Sequence, residues 1–152
     1  AIEDAGANWL TVHARTKADG YTPPAYWEKI QPITEALKIN VIANGEIWNN
    51  ADAKACLQQS NCQDIMIGRG AVTTPDLTLC IRENNDNPVL SWQDLVELQQ
   101  RFLSGQFKTE IGMIGRYKQW LGMMTKAYPE AQELWTKVKK EKQLELILQY
   151  LK

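Results

Sequence analysis

Three short runs of apolar and β-branched residues stand out in the first half of the chain, at positions 9–12, 40–43 and 64–67. Short runs without regular polar alternation are typical of strands buried on both faces. Between these runs, apolar residues recur at helical spacing over 26–37 and 50–59, which predicts two helices. The order is therefore β-α-β-α-β, and the spacing of the strand starts indicates parallel βα units.

Proline and asparagine residues mark the expected ends of these elements. Pro32 is expected to kink or restart the first helix. Asn49 or Asn50 is expected to cap the second helix. After the third strand, the segment Thr74-Pro75-Asp76 resembles a helix start, which predicts a further helix running to about residue 83.

Beyond an asparagine-rich linker at 84–88, the strand pattern stops and helical periodicity takes over. Helices are predicted at about 91–104, 109–127, 129–141 and 144–151, the first of them opening with a capping-box sequence. The predicted fold class is thus α/β followed by an all-α helical bundle. The boundary between the two domains is predicted between residues 83 and 84.

The first residues of the chain resemble the end of a helix that leads into the first strand. Three parallel strands leave two open sheet edges, so we expect the strands that complete the sheet to lie upstream, in a longer protein. The open edges predict aggregation, strand exchange between copies, or a disordered α/β portion beside a well-folded bundle.

Composition narrows the class of protein. Hydrophobic residues make up 44% of the 152 positions, enough for a buried core. No run approaches the roughly 18 apolar residues of a membrane span, and the first residues lack a signal-peptide pattern. The three cysteines form no CxxC pair, and His13 is the sole histidine, so neither a zinc site nor a disulfide framework is predicted. A cytoplasmic protein without a metal or a membrane partner is expected.

The net charge of −1 conceals an asymmetry between the two halves. Residues 1–83 contain 7 basic and 10 acidic side chains, whereas 108–142 contain 8 basic and 4 acidic ones. A basic helical segment is consistent with binding to a polyanion such as RNA. Lysine-rich helix faces are also commonly just solvated, and charge alone leaves both interpretations open.

Candidate functional residues lie at the end of each predicted strand. His13 ends the first strand, residues 44–46 (Asn-Gly-Glu) follow the second, and residues 68–70 (Gly-Arg-Gly) follow the third. The carboxyl ends of parallel strands form the ligand-binding edge of such sheets, and glycines let backbone amides approach a phosphate. Each motif alone is weak, since a single histidine is often a core residue and Asn-Gly is a common turn. Together they predict one phosphate site.

In the helical part, the predicted helix at 109–127 has an apolar arc that includes Met113, Tyr117 and Trp120. Arg116 and Lys118 lie on opposite flanks of this arc, and Lys139 lies on a flank of the next helix. Cations in these positions suit contacts with phosphates. Solubility explains them almost as well.

Four segments in order resemble the bacterial tRNA dihydrouridine synthases: VHART at 12–16, VIANGEI at 41–47, MIGRGA at 66–71 and RYKQWL at 116–121. The resemblance spans essentially the whole chain, and four motifs in the right order are far more specific than any one. The glutamate at position 46 and the RYKQWL segment are similar to the C type, which acts on nucleotide 16 in the D-loop of tRNA.

The resemblance implies the last three strands of a TIM (β/α)8 barrel that holds FMN, followed by a helical tRNA-binding domain. The flavin, reduced by NADPH, would deliver hydride to the C5=C6 bond of a flipped-out uridine, so the parent protein is expected to be an oxidoreductase of tRNA processing. His13 would lie beside the flavin ring and the uracil. The implied flavin contacts are Asn44, Gly45, Glu46, Gly68 and Arg69, and the implied tRNA contacts are Arg15, Arg116, Lys118 and Lys139.

The sequence also departs from the family. The Asn-x-Gly-Cys-Pro segment that carries the family's catalytic cysteine is absent, and Cys56, Cys62 and Cys80 do not match it. A flavin-contacting lysine of the family is absent as well. We therefore expect the chain by itself to be inactive. Two other functions remain open: a stand-alone tRNA-binding module, and another phosphate-binding βα-barrel flavoenzyme or aldolase-like enzyme.

Overall fold

The computed structural model describes residues 2–105 and 107–152. Three strands, β1 (Trp9–His13), β2 (Asn40–Asn44) and β3 (Asp64–Met66), form a parallel sheet in the order β1-β2-β3. Leu10 lies opposite Val41 in the register. The three predicted strands and their parallel arrangement are confirmed, but their expected burial is not, because no residue of β1 or β3 is fully buried. Because all three strands are formed, the expected disorder of this portion is not observed; association through the open edges stays a prediction.

The segment between β1 and β2 is not one continuous helix. It contains a short 3₁₀ turn at Trp27–Lys29, followed by helix α1 at Gln31–Ala36, with Pro32 in its first turn. Proline lacks an amide hydrogen and has a fixed φ, so it suits the first turn of a helix and not its interior. The predicted restart at Pro32 is confirmed.

Helix α2 (Asn50–Ser60) joins β2 to β3. The side chain of Asn49 accepts a hydrogen bond from the Asp52 amide, which identifies Asn49 as the N-cap. Asn61 ends the helix in the left-handed region with φ of 54°, a conformation that asparagine tolerates well.

The predicted start of the helix at 74–83 is wrong. Helix α3 covers Arg69–Thr73, and helix α4 covers Leu77–Arg82. The residue before a proline is disfavoured in the helical region, so Thr74 and Pro75 separate two helices instead of opening one. The chain just after β3 is therefore already helical.

Four helices follow: α5 (Trp92–Leu103), α6 (Glu110–Met124), α7 (Pro129–Val138) and α8 (Leu144–Gln149). Ser91 and Asp94 form the predicted capping box at the start of α5. Thr109 caps α6 by accepting from the Gly112 amide. All four helices occur where they were predicted, although α6, α7 and α8 each end two or three residues earlier than expected. None of the helices in the described part of the chain is long and apolar enough to cross a membrane.

The chain divides into two compact units. The first contains the sheet and comprises the residues up to Ala71 together with Leu77–Asn87; the second comprises Val72–Asp76 and Pro88–Lys152. Apart from the short segment Val72–Asp76, the boundary between the two units falls between Asn87 and Pro88, a few residues beyond the predicted position. The functional roles assigned to the two domains stay predictions.

Each unit has its own core. In the first, Val41 and Ala43 point from β2 into a cluster that includes Ala53 and Cys56 of α2. In the second, the apolar arc of α6 is buried as predicted, with Trp120 half-exposed at its margin. The buried side chains of this arc are Met113, Ile114, Tyr117, Leu121 and Met124.

One polar pair lies inside the helical core. The Tyr117 hydroxyl donates a 2.9 Å hydrogen bond to Gln99 Oε1, and Gln99 Nε2 donates to the Leu95 carbonyl. Tyr117 and Gln99 are both fully buried. The Tyr117 hydroxyl is therefore the group that satisfies the amide oxygen of Gln99 in a site away from water.

We expect Tyr117→Phe to lower the free energy of unfolding by about 1–3 kcal/mol, because it leaves the buried Gln99 oxygen unsatisfied. Replacing both partners, as in Tyr117→Phe with Gln99→Met, should recover most of the loss. Tyr150→Phe, at an exposed position, is the matched control. Urea unfolding followed by circular dichroism measures all three; a Tyr117→Phe variant as stable as the control would contradict the expectation.

Candidate functional site

Asn44 links the ends of all three strands. Its Oδ1 lies 2.7 Å from His13 Nδ1, and its Nδ2 donates a 2.7 Å hydrogen bond to the Met66 carbonyl. The Met66 carbonyl can only accept, so it fixes the orientation of the Asn44 amide. His13 must then donate through Nδ1, so Nε2 is the acceptor nitrogen whenever the imidazole carries a single proton.

The turn after β2 requires unusual backbone angles. Gly45 has φ of +128° and Glu46 has φ of 52°, both in the region that favours glycine. A Cβ atom at Gly45 would lie 3.2 Å from His13 Cε1. The Gly45 carbonyl accepts a 2.7 Å hydrogen bond from Trp27 Nε1. The turn is thus held by the indole and needs glycine at position 45.

The loops after β2 and β3 pack against each other at Gly70. A Cβ atom at this position would lie 2.1 Å from the Ile47 carbonyl oxygen, far inside contact distance. At Gly68 nothing lies within 4 Å of the corresponding position. Of the two glycines in the Gly-Arg-Gly motif, only Gly70 is therefore required for packing.

A carboxylate and two guanidinium groups lie behind these loops. Glu46 Oε1 is 2.7 Å from Arg15 Nη2 and 2.5 Å from Arg69 Nη2. Glu46 Oε2 accepts a 3.0 Å hydrogen bond from Trp48 Nε1. The Arg69 guanidinium also lies 4.9 Å from the Tyr21 ring centre and 5.2 Å from that of Trp48, within cation-π range. Glu46 and Arg69 were predicted as flavin contacts, and Arg15 was predicted as a tRNA contact.

Burial alone would raise the pKa of Glu46, because it disfavours the charged form. The contacts from Arg15 and Trp48, with the charges of both arginines, outweigh this effect and bring the pKa of Glu46 below its usual value of 4.5. Glu46 is therefore a carboxylate at neutral pH, and it neutralises one of the two guanidinium charges.

The loops enclose an open pocket of about 460 Å³ at the carboxyl ends of the strands. Of the predicted residues, His13, Asn44, Gly45, Gly68 and Arg69 line it, together with Tyr21 and Trp48. This volume lies within the ordinary range for small-molecule sites. The structure thus brings the three predicted strand-end motifs around one pocket.

The other predicted site residues do not line this pocket. The Arg15 side chain is fully buried in its ion pair, so in this conformation it offers no surface to tRNA. Its predicted tRNA contact stays a prediction. In the helical unit Arg116 and Lys139 are exposed, and the Lys118 ammonium donates to the carbonyls of Lys139 and Glu141. Lys118 therefore caps the end of α7 with its charge.

Sequence reasoning missed the aromatic residues of the pocket. Tyr21 and Trp48 contact the Arg69 guanidinium, and Trp27 holds the Gly45 carbonyl. The one available signal was the position of Trp48, two residues after Glu46. Tyr21 and Trp27 lie in the long connection after β1, where no local pattern indicates contact with the site.

The three cysteines lie away from this chemistry. All of them are free and buried. Burial, with a smaller contribution from nearby Cys62, raises the pKa of Cys56 to about 12. Cys56 is thus a protonated thiol at neutral pH and unreactive as a nucleophile. Within the described residues, no group of three acidic, histidine or cysteine side chains is placed to hold a metal ion.

A parallel sheet with a pocket at its strand ends is the arrangement in which α/β proteins commonly bind ligands. Residues 1–149 match the family model described as "Dihydrouridine synthase (Dus)". The chain belongs to the dihydrouridine synthase family.

Three relatives carry the name tRNA-dihydrouridine(16) synthase. The chain is 46% identical to that of Shewanella oneidensis over 99% of its own length, 42% identical to that of Pseudomonas putida over 93%, and 40% identical to that of Haemophilus influenzae over 91%. The matches cover 48%, 45% and 45% of these relatives, so the chain spans about half of their length.

We expect Gly70→Ala to destabilise the sheet-containing unit by about 1–3 kcal/mol, because the new methyl group forces the two loops apart. Gly68→Ala, with open space around its Cβ, is the matched control and should change stability far less. Urea unfolding followed by tryptophan fluorescence measures both. Equal stabilities of the two variants would show that the loops are not packed as described.

The ion pairs of Glu46 predict a dependence of stability on pH. Its pKa is lowered on folding, so its contribution is present above the unfolded value near 4.5 and is lost as pH falls through the lower folded value. Wild type should therefore exceed Glu46→Gln in stability at neutral pH by a margin that shrinks below pH 4.5. Urea unfolding across this range tests it, with Glu28→Gln as an exposed control. A margin that does not change with pH would contradict the expectation.

Proposed function

We propose that the protein is part of an FMN-dependent oxidoreductase that reduces uridine 16 of tRNA to 5,6-dihydrouridine with NADPH as the reductant. The observation that carries the proposal is the pocket at the strand ends, formed by the motifs through which the chain resembles this family. The name shared by the relatives supports tRNA as the substrate and nucleotide 16 as the position. In this proposal the sheet is the last part of a TIM barrel.

The residues of the pocket fit a flavin mononucleotide. The close packing at Gly70 leaves no room for a side chain at that position, and the exposed Gly68 leaves its backbone atoms accessible. Arg69 supplies a cation whose side chain is 41% exposed, suited to a phosphate group. Asn44, Gly45, Gly68 and Arg69 would hold the phosphate and ribityl tail. When bound, FMN supplies hydride transfer.

His13 and Asn44 provide the polar groups at the strand ends. Because Asn44 accepts from His13 Nδ1, the Nε2 atom is left as a hydrogen-bond acceptor when the imidazole carries a single proton. An acceptor at this point can bind an N–H group of a uracil base. We propose that His13 orients the base and that Asn44 orients His13.

The tRNA would lie along the helical unit. Arg116 and Lys139 are exposed there and free to contact phosphates, in a segment with 8 basic and 4 acidic side chains over 108–142. Lys118 holds the end of α7 with its ammonium, so its role in this surface is to keep Lys139 in place.

A chimeric enzyme tests the activity. The matching half of the Shewanella oneidensis relative is replaced by this chain, and tRNA from cells that lack this modification is analysed for dihydrouridine by mass spectrometry. We expect dihydrouridine at nucleotide 16 from the chimera, and none from the chain alone. A His13→Ala chimera should retain flavin and lose most of its activity. A folded, flavin-loaded chimera without dihydrouridine, or with dihydrouridine elsewhere, would refute the proposed reaction or position.

Salt-dependent binding tests the tRNA surface. We expect Arg116→Ala with Lys139→Ala to weaken tRNA binding by the chain and to reduce the slope of log K against log salt by about one for each lost phosphate contact. Lys38→Ala with Lys54→Ala removes the same charge from the sheet-containing unit and is the matched control. Equal slopes for both double variants would place the tRNA elsewhere. Strong tRNA binding with no flavin uptake by the chimera would favour a stand-alone RNA-binding module.

A further inference from the structure

Arg15, Glu46 and Arg69 differ in how close they lie to the pocket. Arg69 lines the pocket, whereas Glu46 and Arg15 do not. The exposed fractions of the side chains follow the same order, at 41% for Arg69, 13% for Glu46 and 0% for Arg15. The three charges therefore form a row that runs from the pocket wall into the interior.

The Glu46 carboxylate does not line the pocket, and its contacts are with protein groups. Its Oε1 contacts both guanidinium groups, and its Oε2 accepts from Trp48. A carboxylate would also repel an anionic ligand. Glu46 therefore interacts with neighbouring side chains of the protein and not with a ligand in the pocket.

Arg15 is the buried end of the row. Its Nε donates a 3.2 Å hydrogen bond to the Pro24 carbonyl, while Nη1 and Nη2 make no hydrogen bond of good geometry. A buried guanidinium with so few partners depends on an opposite charge nearby. Glu46 supplies that charge at 2.7 Å. Glu46 is thereby held in place and can hold a second cation.

Arg69 is that second cation. Glu46 fixes one edge of its guanidinium through Nη2, and the rings of Tyr21 and Trp48 lie within 4.9 and 5.2 Å of it. A long flexible side chain that is partly exposed would otherwise lose much conformational entropy on binding a ligand. With two positive charges and one negative charge, the row also keeps a net charge of +1 at the pocket wall.

We propose that Glu46 is a positioning residue, which together with buried Arg15 fixes the Arg69 guanidinium as the binding group for a phosphate monoester in the pocket. This inference rests on the proposed function only for the identity of the ligand, the phosphate of a flavin mononucleotide. It reassigns Glu46 from a direct flavin contact to a residue that acts through Arg69, and Arg15 from a tRNA contact to the anchor of Glu46.

The test uses inorganic phosphate as the probe and needs neither flavin nor tRNA. Phosphate is titrated into the complete chain while the Nε–H resonances of the arginines are followed by ¹⁵N NMR. In wild type we expect a saturable shift at Arg69, and none at Arg82, which is exposed. The absence of any shift at Arg69 would overturn the proposal.

The decisive variant replaces both buried partners, as in Arg15→Met with Glu46→Gln. It removes one positive and one negative charge, so the net charge of the row stays at +1 while the contact that positions Arg69 is lost. We expect phosphate affinity to fall about tenfold, the effect of losing one well-oriented charge-assisted hydrogen bond. Unchanged affinity in this variant would overturn the proposal.

If the double variant does not fold, Glu46→Asp takes its place, since it keeps the charge and shortens the reach to Arg69. Weaker phosphate binding by Glu46→Asp supports the proposal, and unchanged binding overturns it. Glu28→Asp is the control for the same change at an exposed position. A chain that binds phosphate at Arg69 while the chimera makes no dihydrouridine would keep this inference and refute the proposed function; the reverse pattern would do the opposite.

Discussion

The Glu46 carboxylate between two guanidinium groups is the interaction on which the strand-end site depends. Arg15 follows β1, Glu46 follows β2 and Arg69 follows β3, so one carboxylate connects the loops of all three strands. The desolvation cost of the buried Arg15 requires a nearby negative charge, and the sheet brings Glu46 to it. The pairing adds to the hydrogen bonds from Trp27 to the Gly45 carbonyl and from Arg15 to the Pro24 carbonyl, which hold the same two segments.

Backbone constraints act together with this charge pairing. The left-handed turn at Gly45 and Glu46 directs the carboxylate back toward Arg15, and the contact between Gly70 and the Ile47 carbonyl holds the third loop against the second. Asn44 also connects the ends of the three strands, here through uncharged groups. Its amide forms hydrogen bonds with His13 on one side and with the Met66 carbonyl on the other. The shape of the pocket thus depends on contacts among the residues that line it and on the Glu46 ion pairs beside it.

The helical unit is built on different principles. Its stability comes from an apolar arc on α6, from side-chain caps at Ser91 and Thr109, and from one buried polar pair, Tyr117 with Gln99. Its basic side chains contribute little to that core, and two of them, Arg116 and Lys139, are exposed. Lys118 shows that a lysine on a basic face can have a structural task, since it donates to backbone carbonyls at the end of α7.

The sequence by itself determined the order of strands and helices, the caps at Asn49 and Ser91, the three motifs at the strand ends and the family, because these depend on local periodicity, on turn chemistry and on residues adjacent in the chain. It misplaced the helices around Pro75, where two local signals compete. Only the tertiary structure decided that Glu46 contacts arginines instead of facing the pocket, that Arg15 is buried, and that Tyr21 and Trp48 surround Arg69. These relations join residues far apart in the chain, and their energies come from desolvation and close packing, which arise only when the sheet brings the three loops together.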